Sequence, residues 1–352
     1  MNLSEIDPNF AVSQTIDRTG LRFYDALEAP FSLHGVYMDG GRYRRMPESV
    51  AAAVSPGVLH LHANTAGGRV RFVTDSPRIA IHAAMDGVEP SPHFAFAGKA
   101  GFDIYRDGEY RKTFMPSVKM TDGFESVIET GRTGKAEYVI HFPLYSNVKC
   151  LYIGLEEGSA LEAPSAYTLE KPIVFYGSSI TQGGCASRPG NAYQNILSRL
   201  LHVDHINLGF SGAAKAEDAM IAYVAGLDMA AFVYDYDHNA PTVEHLARTH
   251  EEMFLRIRAA HPQLPILMLS RPKYFLNAEE QQRLAIIKAT YEHAVAAGDR
   301  NVYLIPGTQL MEDMKNEGLV DNCHPNDAGF VSMARAMLPT IREMLQPSVD
   351  NF

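Results

Sequence analysis

The 352-residue chain has no tryptophan, and its three cysteines, Cys150, Cys185 and Cys323, make no disulfide framework. It has no block of lysine or arginine. Its 31 basic residues are outnumbered by 41 acidic ones, for a formal net charge of −10. The electrostatic footprint of a nucleic-acid-binding surface is therefore missing. No apolar run approaches the length of a membrane-spanning helix. The opening residues, Met1-Asn2-Leu3-Ser4-Glu5-Ile6-Asp7, lack the basic stretch and apolar core of a secretory leader. Together these absences lead to the expectation of a cytoplasmic protein with no nucleic acid or membrane among its partners. The acidic balance favours solubility and mildly disfavours polyanionic substrates.

What is present is ordinary globular composition, 46% hydrophobic and 20% charged, in a chain longer than a single core usually holds. Two domains are expected, and the two halves follow different periods. In the first, Val58-Leu59-His60-Leu61-His62 and Arg69-Val70-Arg71-Phe72 alternate, as do the residues around Ile79 and Ile81, and Tyr138, Ile140 and Phe142 share a face. Period-two patterns of this length predict half-buried strands. Asp107-Gly108, between Tyr105-Arg106 and Glu109-Tyr110, predicts a two-residue hairpin turn. No helix is expected between about residues 55 and 160, and many short strands predict a jelly-roll-like β-sandwich over residues 1–163.

From residue 164 onward the pattern changes. Ile173–Tyr176, His205–Leu208, Ala231–Tyr234, Ile266–Leu269 and Val302–Ile305 are continuous apolar runs or nearly so, the mark of strands buried on both faces. Helical periodicity lies between them: Leu246, Met253, Phe254 and Ile257 share one face, and Phe330, Met333, Ala334, Met337, Leu338 and Ile341 another. This alternation predicts an α/β domain over 164–352, a parallel sheet covered on both faces with its site at the carboxyl ends of the strands. The boundary is placed near Glu162-Ala163-Pro164-Ser165.

Four segments at those strand ends and before the last helix carry chemistry-bearing residues. Gly177-Ser178-Ser179-Ile180-Thr181-Gln182-Gly183 follows the first strand, where a serine can stand at a tight turn, or the segment is a plain strand-helix connection. It has neither the Gly-x-Ser-x-Gly elbow nor the Gly-Lys-Ser/Thr ending of a phosphate loop. In Asp321-Asn322-Cys323-His324-Pro325 the three-residue separation lets a carboxylate fold back onto an imidazole Nδ1–H and leave Nε2 to accept a proton; the alternative is a capping aspartate beside a surface histidine. Asn207-Leu208-Gly209-Phe210-Ser211-Gly212-Ala213 and Asp235-Tyr236-Asp237-His238-Asn239-Ala240-Pro241 offer neutral donors suited to an oxyanion, or are ordinary turns.

Taken together, serine after strand one, glycine after strand two, asparagine after strand three and Asp-x-x-His before the last helix resemble the block order of the SGNH/GDSL hydrolases, over roughly residues 170 to 346. The resemblance implies a flavodoxin-like catalytic domain with Ser179 as nucleophile, His324 as general base and then acid, and Asp321 orienting the histidine. It implies an oxyanion hole of the Ser179 and Gly212 backbone N–H groups and the Asn239 amide. Two departures stand out: Ser178 replaces the aspartate of Gly-Asp-Ser, and Asn-Ala-Pro replaces the usual Asn-Asp. Gly101-Phe102-Asp103-Ile104-Tyr105 resembles the Gly-x-Asp-Leu-Tyr signature of a β-sandwich domain found ahead of some SGNH esterases.

The implied reaction is serine esterase chemistry on a small-molecule ester, with a small acyl group on a sugar as first choice. Lipid or thioester cleavage, and a non-catalytic sugar-binding role on the same fold, are the alternatives. With no tryptophan to stack on sugar faces, seventeen tyrosines are left for that work. No cofactor and no metal are expected: the fourteen histidines are scattered, His60 and His62 read as an exposed strand face, and His202 and His205 flank a turn. His238 either lines the pocket or does not reach it. Cys185 and Cys323 read as free thiols or, alternatively, a redox pair near the pocket. Arg188 and Arg271 either pair with surface acids or touch substrate carboxylates or hydroxyls. Oligomeric state is left open.

Overall fold

The strands of the first half form because each turns one row of apolar side chains inward. The computed structural model describes residues 3–7, 11–131 and 134–349. Among the described residues, twelve strands lie before residue 163: β1 (Leu21–Asp25), β2 (Ser32–His34), β3 (Tyr37–Asp39), β4 (Arg42–Arg44), β5 (Arg69–Thr74), β6 (Arg78–Met85), β7 (Phe102–Arg106), β8 (Glu109–Phe114), β9 (Gly123–Glu129), β10 (Ala136–His141), β11 (Val148–Glu156) and β12 (Leu161–Glu162). One antiparallel sheet runs β1-β11-β6-β9 and the other β12-β5-β10-β7-β8, with β2 on β5, while β3 and β4 pair separately. Val70, Phe72, Ile79, Ile81, Ile104, Tyr138, Ile140 and Ile153 share one core between the sheets. The hairpin turns where expected: Asp107 and Gly108 both take positive φ, 48° and 81°, which matches the twist of the flanking strands.

The second half contains a five-stranded parallel sheet of β13 (Ile173–Gly177), β14 (His205–Gly209), β15 (Ala231–Asp235), β16 (Ile266–Leu269) and β17 (Val302–Ile305), in the order β14-β13-β15-β16-β17. Each strand lies on one of the five apolar runs. Helices Tyr193–Leu201, Asp218–Ala225, Val243–Ala260, Ala278–Ala296 and Asp327–Val349 make up the α layers. The chain steps from β13 to β14 on one side and then crosses to β15 on the other. In open α/β sheets such a reversal is the place where the site lies, at the carboxyl ends of the strands.

The segment Val58–His62 is a correction. It is not a strand: Pro56–Leu61 is a helix, preceded by a second helix at Glu48–Val54, and Phe96–Ala100 is also helical. Ser55 caps the Pro56–Leu61 helix, its Oγ accepting from the Val58 N–H at 3.2 Å, and Pro56 stands in the first turn, where its missing N–H costs nothing. His60 and His62 accordingly share no strand face; His60 is exposed and His62 is buried.

Contacts divide the chain into two compact units that are not two consecutive stretches. The first holds Met1–Arg44, Ala63–Ala166 and Ser187–Pro189; the second holds Arg45–His62, Tyr167–Ala186 and Gly190–Phe352. Met46, Ala51 and Val58 join Val174, Leu208, Met220 and Phe232 in the second unit's core. Arg45, buried, explains part of this attachment. Its guanidinium donates to the Asn207 and Gly209 carbonyls at 3.1 and 2.7 Å and to Leu61 O at 2.8 Å, and it lies over the Phe210 ring. Within the first unit Arg188 pairs with the fully buried Asp103 at 3.0 Å and with the Tyr105 hydroxyl, so its acid partner is a core residue rather than a surface one. No helix among the described residues is long and apolar enough to cross a membrane.

Candidate active site

The serine turn is built on two glycines that leave no room for a side chain. A Cβ on Gly177 would fall on the Asp235 carboxylate, and one on Gly209 would fall on the backbone of Gln182. β13 can therefore end against β14 and β15 with the next residues turning sharply upward. Ser178 caps the turn, its Oγ accepting from Ile180 N at 3.1 Å, and Ser179–Gln182 is a single helical turn that Gly183 closes at φ +100°. Ser179 is thus the first residue of that turn. It is 5% exposed, and its Oγ lies 2.8 Å from His324 Nε2.

His324 comes from the loop before the last helix. Asp321 Oδ2 is 2.8 Å from His324 Nδ1, while Oδ1 accepts from the backbone N–H groups of Cys323 and His324 at 3.1 and 2.7 Å. Asn322 takes the left-handed conformation, φ +61°, which lets the carboxylate fold back over three residues. Val320 N donates to His324 O at 2.8 Å, and Leu319 bridges Pro325. Burial pushes the Asp321 carboxyl up, but the hydrogen bonds from the His324 backbone and ring outweigh it and hold it below the ordinary carboxylate range. An ionised Asp321 takes the proton side of Nδ1, and Nε2 faces Ser179 as acceptor.

The other two segments are tied to the same turn. Phe210 N donates to Gly177 O at 2.8 Å, and Ser211 N donates to Gln182 Oε1 at 3.1 Å. Gly212 turns at φ +67° and is exposed. Asn239, partly buried, donates from Nδ2 to Phe210 O at 3.1 Å, which orients the amide and leaves its second N–H for another acceptor. Ser179, His324 and Asp321 are therefore joined directly, and the Gly212 and Asn239 segments are linked to one another through the residue 210 carbonyl.

Several residues that the sequence reading left without a role support this arrangement. Asp235, buried at the end of β15, accepts from Ser178 N and from the Thr181 hydroxyl. Burial pushes its carboxyl up to about 7, against the opposing pull of His238 and the Thr181 bond. Asn207 and Gln194 both donate to Thr181 O at 2.7 Å. Asp237 accepts from Arg271 N and from His238 Nδ1, each at 3.1 Å, so His238 is turned toward Asp237. Asp235 and Asp237 stand at a strand end, their only sequence signal, whereas Asn207 lies inside β14 and Gln194 in the Tyr193–Leu201 helix, where no local pattern marks them.

Cys185 and Cys323 are free thiols. Burial pushes Cys185 up to about 12, with Asp321 and Cys323 adding to the shift, and burial raises Cys323 as well. Raised thiols are poor nucleophiles, which opposes the redox-pair alternative. Arg271 pairs with Glu280 at 2.7 Å.

Residues 170–342 match the GDSL-like lipase/acylhydrolase family, and residues 21–161 match the GxDLY domain that forms the N-terminus of SGNH-hydrolase-type esterases. A candidate GDSL-like lipase from Bacteroides ovatus is 28% identical, with a TM-score of 0.82 over 93% of this chain and 98% of its own. The salicylyl acyltransferase SsfX3 of a tetracycline biosynthetic pathway is 20% identical, with a TM-score of 0.75 over 94% of this chain and 98% of its own. A family two carbohydrate esterase from Clostridium thermocellum, solved with cellohexaose, is 16% identical, with a TM-score of 0.60 over 80% of this chain and 94% of its own. A sequence search of curated proteins returns no significant match.

Proposed function

For a chain that belongs to the SGNH/GDSL hydrolases, with a GxDLY-type β-sandwich ahead of the catalytic domain, and that is an ester-bond hydrolase, we propose a serine esterase mechanism carried by Ser179, His324 and Asp321. The observation that carries the reading is the pair of 2.8 Å contacts, Ser179 Oγ to His324 Nε2 and His324 Nδ1 to Asp321. His324 takes the serine proton as Oγ bonds to the ester carbonyl carbon. The tetrahedral oxyanion is held by the Ser179 and Gly212 N–H groups and the Asn239 amide. Its collapse breaks the bond to the alkoxy oxygen, which leaves with the proton from His324. Water then attacks the acyl-enzyme with the roles reversed, releasing the acid and restoring the serine hydroxyl.

The substrate class we assign is a small acyl ester of a carbohydrate. The likeness in fold to carbohydrate esterases, one of them an acetyl xylan esterase from the rumen bacterium Butyrivibrio proteoclasticus, supports this choice. The test is hydrolysis of p-nitrophenyl esters of graded acyl length, followed by acetylated sugars, with the released acid measured beside any ester formed with an added sugar acceptor. Activity is expected to peak at acetate. Rates rising with chain length would replace this reading with lipid or thioester cleavage, and an ester product in place of free acid would make the enzyme an acyltransferase.

Asn239→Ala is expected to lower kcat by on the order of 10²–10³, the usual cost of one oxyanion donor. KM should change little, because the donor meets the charge that develops in the transition state. Steady-state kinetics on the acetate ester checks this, and an unchanged kcat would remove Asn239 from the site.

A further inference from the structure

Arg271 lies just past the carboxyl end of β16, and its backbone is fixed on two sides. Its N–H donates to Asp237 Oδ2 at 3.1 Å, and Asp237 is fully buried in the loop that carries Asn239. Its carbonyl packs so closely on Gly307 that a Cβ there would overlap it, while Gly307 N donates to the neighbouring Ser270 Oγ at 2.8 Å. The side chain is held as firmly. Nη1 donates to Glu280 Oε1 at 2.7 Å, and Lys273 Nζ reaches the same oxygen at 3.0 Å. Glu280 is buried in the first turn of the Ala278–Ala296 helix, where Oε2 accepts from Asn277 N at 2.8 Å in a capping box. The remaining arm of the guanidinium, Nη2, donates to the Asn322 carbonyl at 3.1 Å.

Asn322 is the left-handed residue between Asp321 and His324, and its conformation decides whether the carboxylate can reach the imidazole. The hydrogen bonds among Val320, Asp321, Cys323 and His324 shape that turn from within. Arg271 holds it from outside, from a strand end that also supports the Asn239 loop. We infer that Arg271 is a positioning residue for the general base. Clamped by Glu280, it fixes the Asn322 carbonyl and so keeps His324 Nε2 within proton-transfer distance of Ser179. A planar fork is required for this, because one guanidinium must serve Glu280 and Asn322 at the same time. An ammonium group at the end of a lysine chain is a point charge and cannot span the two acceptors in the same geometry.

The inference rests on Ser179 acting as the nucleophile. The test combines kinetics on p-nitrophenyl acetate with the rate at which a fluorophosphonate labels Ser179 in the full-length protein. Arg271→Ala is expected to lower kcat by roughly 10–100-fold, the scale of loss when a catalytic group is displaced by about an ångström. KM should be nearly unchanged and labelling should slow in proportion, because both reactions need His324 in place. Arg271→Lys is expected to recover part of the loss, and Glu280→Gln to show a smaller loss of the same kind. Labelling of folded Arg271→Lys and Glu280→Gln at the wild-type rate would overturn the role of Arg271 even if Arg271→Ala failed to fold. A raised KM with kcat and labelling intact would overturn it too, making Arg271 a substrate contact. A wild-type protein that takes no label would refute the nucleophile itself and the inference with it, whereas a labelled wild type matched by an equally labelled Arg271→Ala would refute only the role of Arg271.

Discussion

Ser179→Ala and His324→Ala are each expected to lower kcat/KM for ester hydrolysis by roughly 10⁴–10⁶-fold, and the double variant to lose no more than the worse of the two. The reason lies in the 2.8 Å contact between Oγ and Nε2. Without the imidazole the hydroxyl is a weak nucleophile, and without the hydroxyl the imidazole has no proton to take. Either change therefore removes the whole unit. Asp321→Asn is expected to cost roughly 10⁴-fold in kcat. An amide can still accept from the Cys323 and His324 N–H groups, but if its NH₂ faces Nδ1 it stabilises the wrong tautomer and cannot balance the imidazolium. Residual activity in all variants should reflect the oxyanion donors, which none of these changes touches. Kinetics on the two single variants and the double variant decides the matter: losses that multiply would show that Ser179 and His324 do not work as a unit.

A second large effect is expected from Asp235, through stability rather than turnover. Its carboxyl is pushed from the ordinary 3.8 up to about 7 by complete burial. The folded state thus keeps it neutral over a range in which the unfolded chain would ionise it. The stability linked to this group is fully present below pH 3.8 and is lost as pH rises through about 7. A gap of about 3 units corresponds to about 4 kcal/mol. Asp235→Asn cannot ionise, so between pH 4 and pH 8 it should lose about 4 kcal/mol less than the wild type. Denaturant unfolding of both proteins at the two pH values measures this difference, in which all other titrations cancel. Parallel curves would mean that Asp235 is ionised in the folded protein. A neutral Asp235 also suits the chemistry above it, since a second anion beneath Ser178 would oppose the negative charge that gathers on the substrate oxygen.

The parallel sheet and the chemistry-bearing residues were readable in the sequence for related reasons. A strand buried on both faces has no polar positions to confuse its pattern, so Ile173–Tyr176 and the four later runs stand out. Ser179 and the two proposed oxyanion segments follow on three of those strands, and Asp321 and His324 stand just before the last helix. The helix at Pro56–Leu61 reads as a strand because Leu59 and Leu61 alternate with His60 and His62, although Val58 and Leu61 also stand at a helical spacing of three. Its true signal was the cap, Ser55-Pro56, rather than the hydrophobic pattern. Asp235 gave no warning at all, because an aspartate at a strand end looks the same whether it is solvated or buried beneath a serine. Arg45 was equally silent. Its partners Asn207 and Gly209 lie more than 160 residues away, and no local pattern announces a contact of that range.

The attachment of Arg45–His62 to the second unit has a consequence during synthesis. This segment emerges from the ribosome well before β14, on whose end Arg45 is to close. At roughly 5–20 residues per second, the roughly 150 intervening residues take on the order of 10–30 seconds to translate. Throughout that time Met46, Ala51 and Val58 have no core to enter, although the strands that flank them in the chain can already begin to pair. The catalytic unit is completed only when the last helix arrives, so its first-made segment is also among the last to be buried. Production of active protein will accordingly follow how well the cell shields one short apolar stretch while the remainder of the chain is made.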